Sequence, residues 1–173
     1  MKKGADISAE FSGLYIVHQN IPGKKNAKLS HPQHILFLPL SGEISVVCDG
    51  RKWAVGPGHM LYLPPATSHD FSSSPHGGER MIALLKSQSL SVEAKGVVKL
   101  PISQLAKEIL FYLLLHPKTK SAKALIEVFA ETLKDSLESV SATGAPEHLL
   151  SKVQDPRLKR ALEVLESRLS ENL

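Results

Sequence analysis

Three histidines, His31, His34 and His69, bracket one turn-rich stretch, HPQHILFLPLSGEISVVCDGRKWAVGPGHMLYLPPATSHDF. Imidazole both ligates metals and holds polar guests near neutral pH. A transition metal with open positions for chemistry needs three or four protein ligands. A small-molecule pocket needs less: an apolar enclosure with a few polar contacts. Phe37, Trp53 and Tyr62 supply aromatic walls for such a pocket, and His31, His34 and His69 its polar groups. Each also has a plainer reading. His31 and His34 fit a solvated strand entrance, His69 a loop after Pro64-Pro65, and Trp53 a core or rim filler. Tyr62 lies between Leu61 and Leu63 in a strand and faces opposite to both, so its hydroxyl needs a partner if buried. His18, His76, His116 and His148 occupy loop or helix-end contexts and read as surface residues.

Nucleophilic catalysis finds little support, and no catalytic residue is assigned. Cys48 shares a strand side with Ile44 and Val46, which suits a buried structural thiol better than a reactive one. The serines at 72–74 lie in a loop-like run, where serine is ordinary. His76-Gly77-Gly78 is too short to carry an argument, and no phosphate-cradling glycine loop or paired-carboxylate motif is present.

The elements that must position these residues are short strands. Glu43–Cys48 and Arg51–Val55 flank Asp49-Gly50, the dipeptide that a type I′ hairpin turn favours because both central residues need positive φ. Gly56-Pro57-Gly58 turns the chain into Met60–Leu63, which Pro64-Pro65 ends. Leu14–His18, Ile35–Leu40 and Met81–Leu85 read as further strands. Ile35 through Leu38 is apolar at every position, so both faces of that strand should be covered. Pro39 cannot donate to a ladder, which implies a bulge or an edge there. Short strands with frequent turns suggest a closed barrel or jelly roll.

Beyond the strands the composition shifts. Ten of the 11 glycines lie at or before Gly96. This places a boundary near Lys95–Pro101, with a β region at 1–98 and a helical region at 99–173. Leu105, Ile109, Tyr112 and Leu113 recur at helical spacing before Pro117. Leu125, Val128, Phe129, Leu133, Leu137 and Val140 form a second stripe, which Gly144 and Pro146 break. Asp155 as N-cap and Pro156 at the first helical position start a third helix. Its Leu158, Leu162, Leu165 and Leu169 have the spacing of helix pairing. It reaches Leu173 without a C-cap, as a helix whose continuation is missing would.

The chain has 173 residues and a formal net charge of +4 that is spread along its length rather than gathered on one face, which argues against a nucleic-acid surface. One cysteine excludes an internal disulfide and suits a reducing compartment. The run Ile109–Leu115 is too short to span a bilayer, so a cytoplasmic protein is expected.

The histidine-bracketed stretch resembles the cupin motif pair and, more narrowly, the N-terminal effector domain of AraC-type transcription regulators. DPRLKRALEVLESRLSENL resembles the linker and first helix leading into the helix-turn-helix domain of that family. The resemblance implies a fold that is mainly β with α: a cupin-like antiparallel β-barrel or jelly roll followed by C-terminal helices. It implies a small-molecule effector in the barrel and a homodimer through the C-terminal helices. DNA would be read only by a helix-turn-helix domain not present here, and no membrane partner is implied. Many cupins bind a metal through two histidines and a glutamate on the first motif and a histidine on the second. Counted back from Gly42, His31 takes one histidine position, Leu29 the other and Ile35 the glutamate position, while His69 matches the second motif. His34 substitutes only if the register slips by one, and His59 stands where the family has an acidic residue. No metal or other cofactor is therefore expected. The runner-up is a stand-alone metal-dependent cupin enzyme, an isomerase or dioxygenase. A barrel plugged by Phe37, Trp53 and their neighbours is a third reading.

Overall fold

The structure is a computed structural model and describes residues 6–21, 25–73, 77–90 and 96–143. Among these, ten strands precede two α-helices. The strands are β1 (Ile7–Glu10), β2 (Leu14–Ile21), β3 (Lys25–Leu29), β4 (His34–Pro39), β5 (Ile44–Cys48), β6 (Arg51–Val55), β7 (His59–Leu63), β8 (His69–Ser73), β9 (Gly78–Leu85) and β10 (Val98–Pro101). The helices are α1 (Gln104–Leu115) and α2 (Ala122–Thr143).

The strands form two antiparallel sheets, ordered β1-β2-β9-β4-β7-β10 and β3-β8-β5-β6. Between them lies one apolar cluster. The larger sheet contributes Ile35, Phe37, Leu61 and Leu63; the smaller contributes Ile44, Val46, Cys48, Val55 and Phe71. The expected barrel or jelly roll followed by helices is what the chain adopts.

Local chemistry explains the turns. Asp49 and Gly50 have φ of 50° and 76°, the left-handed pair expected between β5 and β6. Gly78 starts β9 directly under the β4–β5 connection, where an added Cβ would lie 2.4 Å from the Ser41 carbonyl oxygen. No side chain fits there, which is why the strand opens on glycine.

Pro39 sits neither at a bulge nor on an edge strand. It pairs with Arg80 of β9 at the end of the central strand β4, whose pairing with β7 stops at Phe37–Leu61. Leu40 N–H donates to the Glu79 carbonyl at 2.7 Å, on the β9 side. Successive N–H groups alternate sides, so the donor that proline lacks would have pointed where no ladder remains.

The helices exist as the periodicity indicates, but their buried faces are rotated. On α1 the buried residues are Ala106, Ile109, Leu110, Leu113 and Leu114, while Leu105 and Tyr112 are exposed. The Ser103 side chain caps this helix by accepting from Ala106 N–H at 3.1 Å, and Pro117 follows its end. On α2 the stripe is Ile126, Phe129, Ala130, Leu133 and Leu137, and Val128 is exposed. Alanine at 106 and 130 admits close approach, which moves each face by about one position.

The sheet extends to Pro101, past residue 98, because β10 pairs with β7. The chain divides into two compact units, Met1–Ser139 and Val140–Leu173; of the second, only the last turn of α2 is described. The Gly144–Pro146 break, the helix expected from Asp155, His76 and His148 lie outside the described residues. Among the described residues no helix is long and apolar enough to cross a membrane.

Candidate functional site

Strand parity sorts the candidate residues onto two faces of the six-stranded sheet. The cross-strand row Ile16–Ala83–Leu36–Tyr62–Val98 points one way, and the row Val17–Ile82–Phe37–Leu61–Lys99 points the other. The second face looks into the space between the sheets, since Phe37 and Leu61 belong to that core. The first is the helix side: α1 packs on β1 and β2, and on β1 only Ala9, the partner of Ile16, is buried.

His34 and Tyr62 therefore sit behind the sheet, away from its interior. Both are buried, and His34 Nδ1 shares a hydrogen bond of 2.9 Å with the Tyr62 hydroxyl. This is the partner the tyrosine required. Burial pushes the phenol up to about 12 and lowers the His34 imidazole, so both stay neutral at ordinary pH. The pair is a satisfied structural contact.

On the interior face the arrangement differs. A cavity of about 120 Å³ separates the two sheets. Val17 and Gln19 of β2, Phe37 of β4 and Ile82 and Leu84 of β9 form one wall. Leu29 of β3, His31 of the β3–β4 connection, and His69 and Phe71 of β8 form the other, and Arg80 of β9 closes the space. Of the six residues singled out from sequence, the cavity gathers His31, Phe37 and His69. Trp53 is on β6, opposite Val46, half-buried against the interior cluster and stacked under Arg51 at 4.3 Å, so it fills the rim.

His69 is fully buried. Its Nδ1 donates to the Thr67 carbonyl oxygen at 3.0 Å; a carbonyl only accepts, so the proton is on Nδ1. In the neutral ring that leaves Nε2 as a lone pair, and Nε2 has no partner. The ring stands 5.7 Å from His31, centroid to centroid. Burial, and secondarily the neighbouring His69, lower the His31 imidazole below its usual range. The His31 carbonyl accepts from Ala66 N–H at 2.7 Å, and Ala66 takes a left-handed φ of 60° to make that contact.

Arg80 is the unexpected member. It is 5% exposed, on a wall that is apolar but for Gln19. Its Nε and Nη2 donate to one acceptor, Gln19 Oε1, at 3.1 and 2.7 Å. Gln19 Nε2 in turn donates to Asp6 at 3.3 Å. The guanidinium lies 3.6 Å over the Phe71 ring. Among the described residues no carboxylate is within ion-pair distance, and buried Nη1 has no partner. Burial lowers its pKa to about 10, with distant Asp6 opposing. Leaving one such buried group unmet costs roughly 1–3 kcal/mol, more for a charge. The sequence did carry a signal: Arg80 shares parity with Ile82 and Leu84, as Gln19 does with Val17.

A metal does not fit this donor set. Among the described residues no three metal-capable side chains converge. Only His31 and His69 meet, His34 is on the opposite face, and a guanidinium shares the cavity. Cys48 is buried beside Ile44 and Val46, and burial, then Asp49, hold its thiol up at about 11, far from a reactive thiolate. A second hollow, of about 210 Å³, lies at the Asp49-Gly50 turn and also touches His69. Its other walls, Val47, Ser68 and Asp70, present no unpaired buried group.

Residues 18–84 match the family described as Cupin domain, so the chain carries a cupin domain. No curated protein matches the sequence. A cupin superfamily protein from Desulfitobacterium hafniense DCB-2 is similar in structure at 18% identity and TM-score 0.44, over 50% of this chain and 83% of its own. A protein provisionally described as a mannose-6-phosphate isomerase, from Ralstonia eutropha JMP134, gives 18%, 0.44, 50% and 90% for the same measures. The AraC-like transcriptional activator CuxR is similar over 95% of this chain and 64% of its own, with 14% identity and TM-score 0.64. At such identities the likeness is one of fold.

Proposed function

We propose that this chain is the effector-sensing and dimerising part of an AraC-type transcription regulator, and that it is not an enzyme. A small molecule enters the cavity between the sheets and favours one arrangement of barrel and helices. Helix-turn-helix domains, which these residues do not include, read that arrangement out on DNA. The observation that carries the reading is the cavity itself: a largely apolar space lined by His69 and Arg80, two buried residues that each keep one polar atom without a partner in the protein.

The fold likeness to an AraC-like activator supports it, since it covers 95% of this chain, strands and helices together. The exposed apolar side chains Leu105, Tyr112, Leu115 and Val128 support a second copy docking on the helical part. Two-fold pairing is the commonest closed assembly and suits a palindromic operator. A cytoplasmic location goes with this reading.

A ligand shifts such an equilibrium only by the difference of its affinities for the two states. Sedimentation velocity with and without bound metabolite, followed by Trp53 emission, tests the proposal. The expected result is a dimer whose Trp53 signal saturates with ligand. A monomer at all concentrations, indifferent to every metabolite tried, overturns it. Stoichiometric iron, manganese, nickel or zinc lost together with His31 and His69 would favour the enzyme reading.

A further inference from the structure

The two unpaired groups also say what kind of guest the cavity takes. A neutral sugar or an aliphatic guest leaves a buried guanidinium with no carboxylate at ion-pair distance among the described residues, Asp6 being reached only through Gln19. An inorganic cation would sit against that same positive charge. A carboxylate meets it. Gln19 occupies the Nε–Nη2 edge of Arg80 and holds the guanidinium plane fixed over Phe71. The Nη1–Nη2 end is left, a fork that matches two carboxylate oxygens.

His69 sets a second requirement. Its Nε2 is a lone pair once Nδ1–H is committed to Thr67, so it accepts from an O–H of the guest. Size sets a third. A cavity of 150 Å³ holds benzene, so about 120 Å³ holds roughly four to six non-hydrogen atoms.

We infer that the cavity binds a short hydroxycarboxylate, its carboxylate on the free end of Arg80 and its hydroxyl donating to His69 Nε2. This rests on the sensor reading above and names the chemical class of its ligand. Arg80 has hydrogen-bond and ring partners in the protein but no ion-paired carboxylate among the described residues, and the guest supplies one.

The test is isothermal titration of the full chain with glycolate and lactate, each beside its neutral amide and its deoxy acid. At least one hydroxy acid is expected to bind. Its amide is expected to bind at least ten-fold more weakly, and its deoxy acid several-fold more weakly. Arg80→Met is expected to abolish binding of the acid. Should that variant not fold, the acid-against-amide contrast in the unaltered chain carries the same test. If amides bind as well as acids, the carboxylate assignment is overturned while the sensor reading stands. If no member of any series binds, and a wider screen of neutral metabolites leaves Trp53 emission unmoved, both fall together.

Discussion

The two faces of the six-stranded sheet hold two buried polar pairs with opposite fates. Behind the sheet, His34 and Tyr62 complete one another at 2.9 Å, and the residues around them are tightly packed: Leu36, Ala83 and Ile16 are fully excluded from solvent. In front, His69 and Arg80 each spend part of their hydrogen-bonding capacity on the protein and keep the rest. Val17, Ile82 and Leu84 around them are only half-buried. One backbone thus supports a finished core and an unfinished one. An unmet buried polar group calls for an explanation, and on the proposal made above the guest supplies it.

The contrast is sharpest in packing. Leu36→Ala should destabilise the protein by about 3 kcal/mol, as for a core leucine with no room to relax. Ile82→Ala, on the same sheet but facing the cavity, should cost roughly 1 kcal/mol because little new void is made. Equal losses in urea unfolding would erase the distinction between the faces.

A smaller effect is expected at the hydrogen-bonded pair. Tyr62→Phe strands His34 Nδ1 and should cost about 1–2 kcal/mol, of which His34→Leu in the same chain recovers part. A double-mutant cycle with no coupling would show that the two rings merely neighbour each other.

Acid should act on both histidines that burial has shifted. His34 and His31 have folded pKa values below their ordinary 6.5, so between that value and the lowered one the unfolded chain binds more protons. Their contribution to stability is complete above 6.5 and is lost as pH falls through the lowered values. The urea midpoint should drop between pH 7 and pH 5, and His34→Leu should flatten that slope. A midpoint that rises on acidification reverses the assignment.

The smallest change is expected at Arg80. Arg80→Met removes a buried cation that has no carboxylate at ion-pair distance among the described residues, and the melting temperature should stay level or rise slightly. A loss as large as that of Tyr62→Phe would make Arg80 a structural residue and dissolve the comparison.

Much of this was legible from residue order, and the failures have physical causes. Asp49-Gly50 and the prolines marked turns because φ preferences are local. Tyr62 could be set opposite Leu61 and Leu63 by alternation alone. Which side held the cavity could not, because β4 is apolar at every position and its pattern is the same from both sides. Strand β8 escaped because its inward residue before Phe71 is His69, so a polar side chain occupies the place where alternation looks for an apolar one. Arg80 escaped similarly: ending the strand at Met81 discards the one inward charge. Edge strands β1 and β3 pair on one side only and carry little apolar signal, and β10 lies on the seam between compositions. The helical faces shifted because alanine, buried at 106 and 130, is weighted lightly against the leucines and tyrosine that stay exposed.

Strand β2 deserves a last look for what it joins. Gln19 on its inward side steadies the guanidinium, while Leu14 and Ile16 on the reverse side lie on the face that carries α1. On the proposed reading, a guest that draws on Gln19 acts on the strand whose reverse face meets α1.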